Sequence, residues 1–285
     1  MKNTEYNDPG KFLEATRRAL EANEPLHGLM LGISLRLVEK PVHDGTRPYL
    51  ATIASGGELD LISIMTPPRK LQIASLRGEQ VRSVQLLASK LHTGGWNVPA
   101  AIAEEGLAKR FASEWTKLTS ARSEEGMRQR IYELRAVEFR DYPNGRFRAA
   151  TMDDIGRVEA WTNAFQEECF GSIGPEECAA KAKSMIENGK LHFWEDRSPV
   201  AMAGLTRSTK RGVSISYVYT PPEFRRNGYA SALVASLSRL ALEGGKEFCT
   251  LYTDLSNPTS NSIYQRVGYR AVADVIDVTF SSEIG

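Results

Sequence analysis

The rhythm of apolar and polar positions changes sharply in the C-terminal half of the chain. Val213, Ile215, Tyr217 and Tyr219 fall at period two among β-branched and aromatic residues, which predicts a strand over residues 213–220. Pro221-Pro222 ends it, because neither residue can donate to a ladder. From Gly228 the period becomes helical through Ala230, Leu233, Val234, Leu237, Leu240 and Ala241, and Gly244-Gly245 closes the helix.

Around this strand, loop and helix the same patterning predicts further strands and helices. A strand covers residues 147–150. Thr151 and Asp154, three apart, have capping-box spacing and start a helix to about residue 168. A second helix runs over 175–187, opened by Pro175-Glu176-Glu177 and stopped at Asn188-Gly189. Residues 190–196 and 200–207 form a hairpin across Arg197-Ser198-Pro199. A strand over 247–254, a helix over 258–266 stopped by Gly268, and a strand over 269–280 follow.

The N-terminal half reads as a helix over 11–22 and strands over 27–39, 48–55 and 58–66, with Gly56-Gly57 as a hairpin turn. After Pro67-Pro68 come a strand (70–76), a helix (79–90), a strand (98–102), a helix (104–118) and a strand or strand–helix mixture (127–138). This order parallels that of the C-terminal half, so the chain is expected to hold two copies of one fold, residues 1–138 and 147–285. The turn-rich stretch 139–146 is the expected linker.

Composition narrows the class. A chain of 285 residues favours two domains over one core. A net charge of +1 offers no electrostatic case for nucleic acid or a membrane surface. The N-terminus lacks an apolar leader core, and no run approaches the ~18 apolar residues of a span. Cys169, Cys178 and Cys249 form no Cys-x-x-Cys, and the four histidines have no ligand spacing, so neither a disulfide frame nor a metal site is expected. A cytoplasmic enzyme fits.

The chemistry gathers at Arg225-Arg226-Asn227-Gly228-Tyr229-Ala230. Small residues at Gly228, Ala230 and Ser231 let an anion approach the first helical turn, where unpaired N–H groups and two arginines would meet it. The expected ligand is a diphosphate. The plainer reading is that Gly228 only permits a tight strand–helix turn.

Arg225-x-x-Gly228-x-Ala230 resembles the acyl-CoA pyrophosphate loop of the GNAT superfamily of N-acetyltransferases, Gln/Arg-x-x-Gly-x-Gly/Ala. A second match lies downstream, with Asn257 after the strand, Tyr264 seven residues later and Gly268-Tyr269 closing the helix. The resemblance covers about residue 147 to the C-terminus. It implies the acyl-CoA N-acyltransferase fold, an α/β (α+β type) architecture with a mixed, mostly antiparallel central sheet flanked by helices, here in tandem.

Several roles follow from the resemblance. The backbone of Val218 and Tyr219 would pair with the pantetheine amides of acetyl-CoA. The N–H groups of Arg226, Asn227, Gly228, Tyr229, Ala230 and Ser231 would hold the pyrophosphate, with charge from Arg225 and Arg226. Tyr264 would be the general acid for the departing thiolate, against a reading as a packed aromatic. Asn257 would touch the cofactor arm, cap the helix before Pro258, or both, and Asn261 is a further cofactor contact. The base that takes the amine's proton is open among Glu168, Glu176, Glu177 and a water, with an exposed helix-start acid the plainer reading of the last two glutamates. Cys249 reads as a buried, inert thiol.

The implied activity is transfer of acetyl from acetyl-CoA to the primary amine of a small molecule. The alternatives are a non-catalytic acyl-CoA-binding or regulatory module and acylation of a protein N-terminus or lysine. Small-molecule amine acceptors, no nucleic acid, no membrane, and room for a homodimer complete the expected partners. In the N-terminal half the equivalent loop, residues 76–82, carries Glu79, Gln80 and Val81 where a Gly and a small residue would be needed. That half is expected to be degenerate and non-catalytic.

Overall fold

The computed structural model describes residues 1–40, 47–78, 81–171 and 174–281. In chain order these form β1 (Lys2–Glu5), α1 (Pro9–Ala22), α2 (Glu24–Glu39), β2 (Tyr49–Ser55), β3 (Glu58–Met65), β4 (Leu71–Ser75), α3 (Val81–Thr93), β5 (Ala100–Glu104), α4 (Glu105–Thr119) and β6 (Arg122–Leu134). Then follow β7 (Arg146–Ala149), α5 (Ile155–Phe170), α6 (Pro175–Glu187), β8 (Leu191–Asp196), β9 (Ser198–Thr206), β10 (Gly212–Tyr219), α7 (Tyr229–Glu243), β11 (Phe248–Asp254), α8 (Pro258–Val267) and β12 (Arg270–Ser281).

Contacts divide the chain into two compact units. The first comprises Met1–Ile131, Asp254–Ser256 and Val272–Gly285; the second comprises Tyr132–Thr253 and Asn257–Ala271. The division therefore differs from a single cut in a linker. Tyr132, Leu134 and Phe139 are buried in the second unit's core, while most of residues 140–146 are exposed. Ile276 and Val278 of β12 are buried with Phe111 and Trp115 of α4, so the last strand completes the first unit.

In the first unit the strand order is β1-β2-β3-β4-β5-β12-β6. β4 and β5 run parallel, whereas β1–β2, β2–β3, β3–β4 and β5–β12 are antiparallel. Gly56 and Gly57 turn the β2–β3 hairpin with φ of 60° and 88°, a conformation that glycine adopts without strain. One face carries α1 and α2 over Leu50, Ile62 and Ile64; the other carries α3 and α4 over Leu61, Met65 and Ile73.

Two N-terminal expectations are corrected. Residues 27–39 are the helix α2, not a strand. Leu29, Leu31, Ile33, Leu35 and Leu37 alternate in sequence, but only Ile33 and Val38 are β-branched. The buried set His27, Met30, Leu31, Ser34 and Leu37 instead follows the helical period. The short strand β1, which pairs with β2, has no apolar rhythm of its own. Residues 122–134 form β6 throughout.

The second unit has the order β11-β10-β9-β8-β7, with β10–β11 parallel and its other pairs antiparallel. α7 and α8 cover one face over Val213, Ile215, Cys249 and Leu251. α5 and α6 cover the other over Phe193, Met202, Tyr217 and Tyr219. The expected capping box is present, with the Thr151 N–H donating to Asp154 Oδ2 at 2.9 Å. β8, β9, β10, α6, α7, β11 and α8 lie within a few residues of their sequence-derived positions.

β10 breaks its own period. Val213 and Ile215 lie in the α7/α8 core, yet Tyr217 and Tyr219 lie in the α5/α6 core. A bulge causes the switch: Ser216 faces Gly204 and Tyr219 faces Met202, so three steps on β10 match two on β9. Tyr217 sits at the bulge with φ 54°.

Candidate functional site

β10 and β11 lie side by side only at Gly212–Phe248, Val213–Cys249 and Ser214–Thr250. Gly212 is required at this start, because a Cβ there would come within 2.2 Å of the Phe248 ring. Beyond Ser214 both strands continue without a paired register, so they diverge towards their C-terminal ends. Val218 has a register partner on neither β9 nor β11. Val218, Tyr219 and their backbone thus stand on one side of an opening in the sheet, where an extended ligand could supply the missing strand partner.

The chain leaves β10 through Pro221 and a 3₁₀ turn at Pro222–Phe224, then enters α7 at Gly228. Gly228 is the N-cap with φ 79° and gives no side-chain cap, while its carbonyl accepts the first helical bond from Ala232 at 3.1 Å. The N–H groups of Tyr229, Ala230 and Ser231 have no partner within the helix, as at any helix start. Ser231 adds the observation most specific to this site. Its side chain is 1 % exposed and its Oγ is buried without a hydrogen-bond partner. Buried hydroxyls are ordinarily satisfied. One left open in the first turn of a helix already rich in open donors fits an anion seated there.

The flanking side chains divide the work unevenly. Arg225 is committed to the protein: Nε donates to the Thr220 carbonyl at 2.8 Å, and Nη2 donates to both oxygens of Glu168 at 2.7 and 3.0 Å. Its role is to tie the loop to α5. Arg226 is exposed, with φ 69°, and makes no hydrogen bond or ion pair among the described residues. Asn227 Nδ2 donates to the carbonyls of Phe224 and Arg225, so its side chain shapes the loop. The Tyr229 hydroxyl donates to Asp196 at 2.8 Å, leaving only its N–H for a ligand. Ala230 is half-buried beside them.

The downstream residues are also accounted for. Asn257 Oδ1 accepts from the Ser260 N–H at 3.0 Å and caps α8. Asn261 Nδ2 donates to the Asn257 carbonyl, and its Oδ1 accepts from the Tyr132 hydroxyl at 3.0 Å. Both amides therefore brace α8, the plainer of the two readings for Asn257. Tyr264 is buried between Tyr132 and Tyr269, with ring centroids at 6.4 and 6.1 Å. Burial, with a smaller contribution from the nearby Cys169 thiol, pushes its phenol above the usual range.

The base candidates separate. Glu168 is held bidentate by Arg225. Glu176 and Glu177 are exposed in the first turn of α6. Cys249 is fully buried, and burial pushes its thiol up to about 12, so it is inert at neutral pH.

On the α5/α6 face of the same opening lies a group that sequence reasoning missed. Arg207 follows β9 with φ 44°, and its Nη2 donates to Ser214 Oγ at 3.0 Å. The guanidinium lies 5.4 Å over the Tyr252 ring centroid, and the Ser214 and Thr250 hydroxyls bond at 3.0 Å. Tyr217 packs on Phe165 of α5 at 5.1 Å between centroids. An arginine just after a strand reads in sequence as a turn residue; only tertiary burial marks it.

The first unit repeats the parallel pair, as Leu71–Ala101 and Gln72–Ile102, and α3 follows from Val81. Glu79 and Gln80 of its loop lie outside the described residues. No helix among the described residues is long and apolar enough to cross a membrane, and none of their His, Cys, Asp and Glu side chains cluster in threes as a metal would need.

Residues 195–276 match the family model described as FR47-like protein. No curated protein sequence matches the chain. Among solved structures, an acetyltransferase from the GNAT family from Colwellia psychrerythraea is 12 % identical with TM-score 0.63, covering 99 % of this chain and 100 % of its own. A GCN5-related N-acetyltransferase from Sphaerobacter thermophilus is 14 % identical with TM-score 0.63, covering 97 % and 94 %. A tandem GNAT protein from the clavulanic acid biosynthesis pathway is 13 % identical with TM-score 0.56, covering 98 % of each chain. The chain has the GNAT acyltransferase fold in two units, a mixed sheet flanked by helices.

Proposed function

We propose that the second unit is an acyl-CoA-dependent N-acyltransferase that moves an acetyl group to the primary amine of a small molecule. The observation that carries this reading is the pairing of two features in one unit. The β10–β11 opening leaves Val218 outside the registers of both neighbouring strands, and it leads to a helix start with a buried, unsatisfied Ser231 hydroxyl. The first suits the amide-bearing arm of coenzyme A and the second its diphosphate.

When bound, acyl-CoA supplies a thioester whose carbonyl a neutral amine can attack. The N–H groups of Tyr229, Ala230 and Ser231 and the Ser231 hydroxyl hold the diphosphate, with Arg226 adding charge. Arg225 acts through Glu168 by fixing the loop to α5. The backbone of Val218 and Tyr219 aligns the arm. Tyr264 keeps its proton in the resting site because burial holds its phenol neutral. The same burial makes a thiolate leaving beside it more basic, so donor and acceptor stay matched. With Glu168 engaged, the amine's proton passes to a water or to one of the exposed acids Glu176 and Glu177. The first unit is assigned a non-catalytic role.

The test is release of free CoA thiol from acetyl-CoA across a panel of small primary amines, for wild type and Tyr264→Phe. This reading expects turnover in wild type and a loss of about 100-fold in kcat for the variant. CoA binding without thiol release for any amine would identify a non-catalytic acyl-CoA-binding module instead.

A further inference from the structure

We propose that the acceptor amine carries a carboxylate and that Arg207 receives it on the α5/α6 face of the β10–β11 opening. The inference rests on the acyl-transfer reading and specifies its second substrate. Its basis is a half-buried cation with a fully buried Nε and no carboxylate partner among the described residues.

Ion pairs compensate the two arginines of β7. Arg148 is bound by Asp154 and Glu195, and Arg146 by Glu195. Arg207 has no carboxylate partner among the described residues. Its protein contacts are one neutral hydroxyl, Ser214, and the face of one ring, Tyr252. Its Nε is buried and makes no hydrogen bond. Burial disfavours its charged form, opposed by Tyr252 and Tyr217. A guanidinium nevertheless stays protonated. A charge withdrawn from water is tolerated when an opposite charge pairs with it, and no carboxylate among the described residues does so.

The place fits an acceptor. Ser214 and Thr250 form the last rung before the strands part, so Arg207 sits at the closed end of the opening. α7, α8 and Tyr264 lie on the other face. Tyr217 and Tyr252 give a small molecule two aromatic walls, and Lys181 lies 5.8 Å from the Tyr217 ring centroid. A planar fork with one edge open matches a planar, singly charged carboxylate. A phosphate would ask for more donors than one guanidinium.

The experiment compares ω-amino carboxylates of one to five methylenes with their carboxamides, and with phosphoethanolamine, as acceptors for acetyl-CoA. Wild type, Arg207→Gln and Arg207→Met are assayed, and CoA binding is followed in parallel by thermal shift. The expected result is a preference of about 10- to 100-fold in kcat/KM for the best carboxylate over its amide, expressed mainly in KM. Both variants lose the preference while keeping the CoA shift. Arg207→Met should also melt no lower than wild type, because an uncompensated, half-buried charge is removed.

Equal use of carboxylate and amide by wild type would overturn the inference and leave the acyl-transfer reading standing. So would a preference that survives in both variants, or a marked loss of stability in Arg207→Met. Preference for phosphoethanolamine would replace the carboxylate with a phosphate. Absence of a CoA shift in wild type would overturn the reading and this inference with it.

Discussion

The hydroxyls of Ser214 and Thr250 bond at 3.0 Å across the last paired rung of β10 and β11. That contact fixes where the sheet opens. Gly212 lets the strands approach beside Phe248, the hydroxyl pair holds them two residues later, and the Tyr217 bulge then turns β10 away. Thr250→Val keeps the shape and removes the bond. It should cost about 1 kcal/mol in a denaturant melt, with no change in m-value.

Ser231→Ala should separate binding from stability. The hydroxyl is buried without a partner, so its removal should leave the ligand-free protein as stable or slightly more stable. CoA should bind roughly 10-fold more weakly, in line with loss of one hydrogen bond to a charged group. Calorimetric titration of both proteins checks the pair of effects.

Arg226 should show opposite signs in its two properties. Its φ of 69° is a left-handed conformation that costs a non-glycine residue about 1 kcal/mol. Arg226→Gly should therefore raise stability by about that amount while weakening CoA binding and flattening its dependence on salt. Arg225→Ala should instead loosen the loop from α5 through the lost Glu168 contact, with little stability change, because that pair is solvent-exposed. An Arg226→Gly variant that binds CoA as tightly as wild type at every salt concentration would remove Arg226 from the site.

The first unit carries a pH dependence of its own. His27 of α2 is buried, and burial lowers its pKa to about 4. Unfolded, it would titrate near 6.5, so the unfolded state binds more protons between those values and stability falls as pH drops from about 6.5 to about 4. The loss should be of the order of 2–3 kcal/mol. His27→Gln should flatten the profile in that window, as urea melts at several pH values would reveal.

Much of the second unit was legible because its signals are local. Pro175 with two acids marks a helix start, Gly268 a helix end, and the step from period two to helical period locates α7. The bulge was not legible. Val213, Ile215, Tyr217 and Tyr219 keep period two in sequence while an extra residue sends the second pair to the other face. In α2, five apolar residues at alternate positions imitated a strand, and packing against Leu50, Ile62 and Ile64 decided otherwise. The loop from Arg225 to Ser231 could be read from its small residues. Which arginine is engaged and which is open depends on Glu168, 57 residues earlier. Arg207 carries no local signal, since what distinguishes it is the lack of a carboxylate partner among the described residues in three dimensions.

The most direct test of the central claim is a thermal-shift titration with CoA and acetyl-CoA on wild type and Gly228→Glu. That substitution puts a carboxylate, at a position with φ 79°, where the diphosphate would sit. At about 100 times the dissociation constant, ligand should stabilise wild type by roughly 2.7 kcal/mol. The account predicts a clear shift in wild type and none in the variant. No shift in wild type, or an equal shift in both, would contradict an acyl-CoA site at this loop.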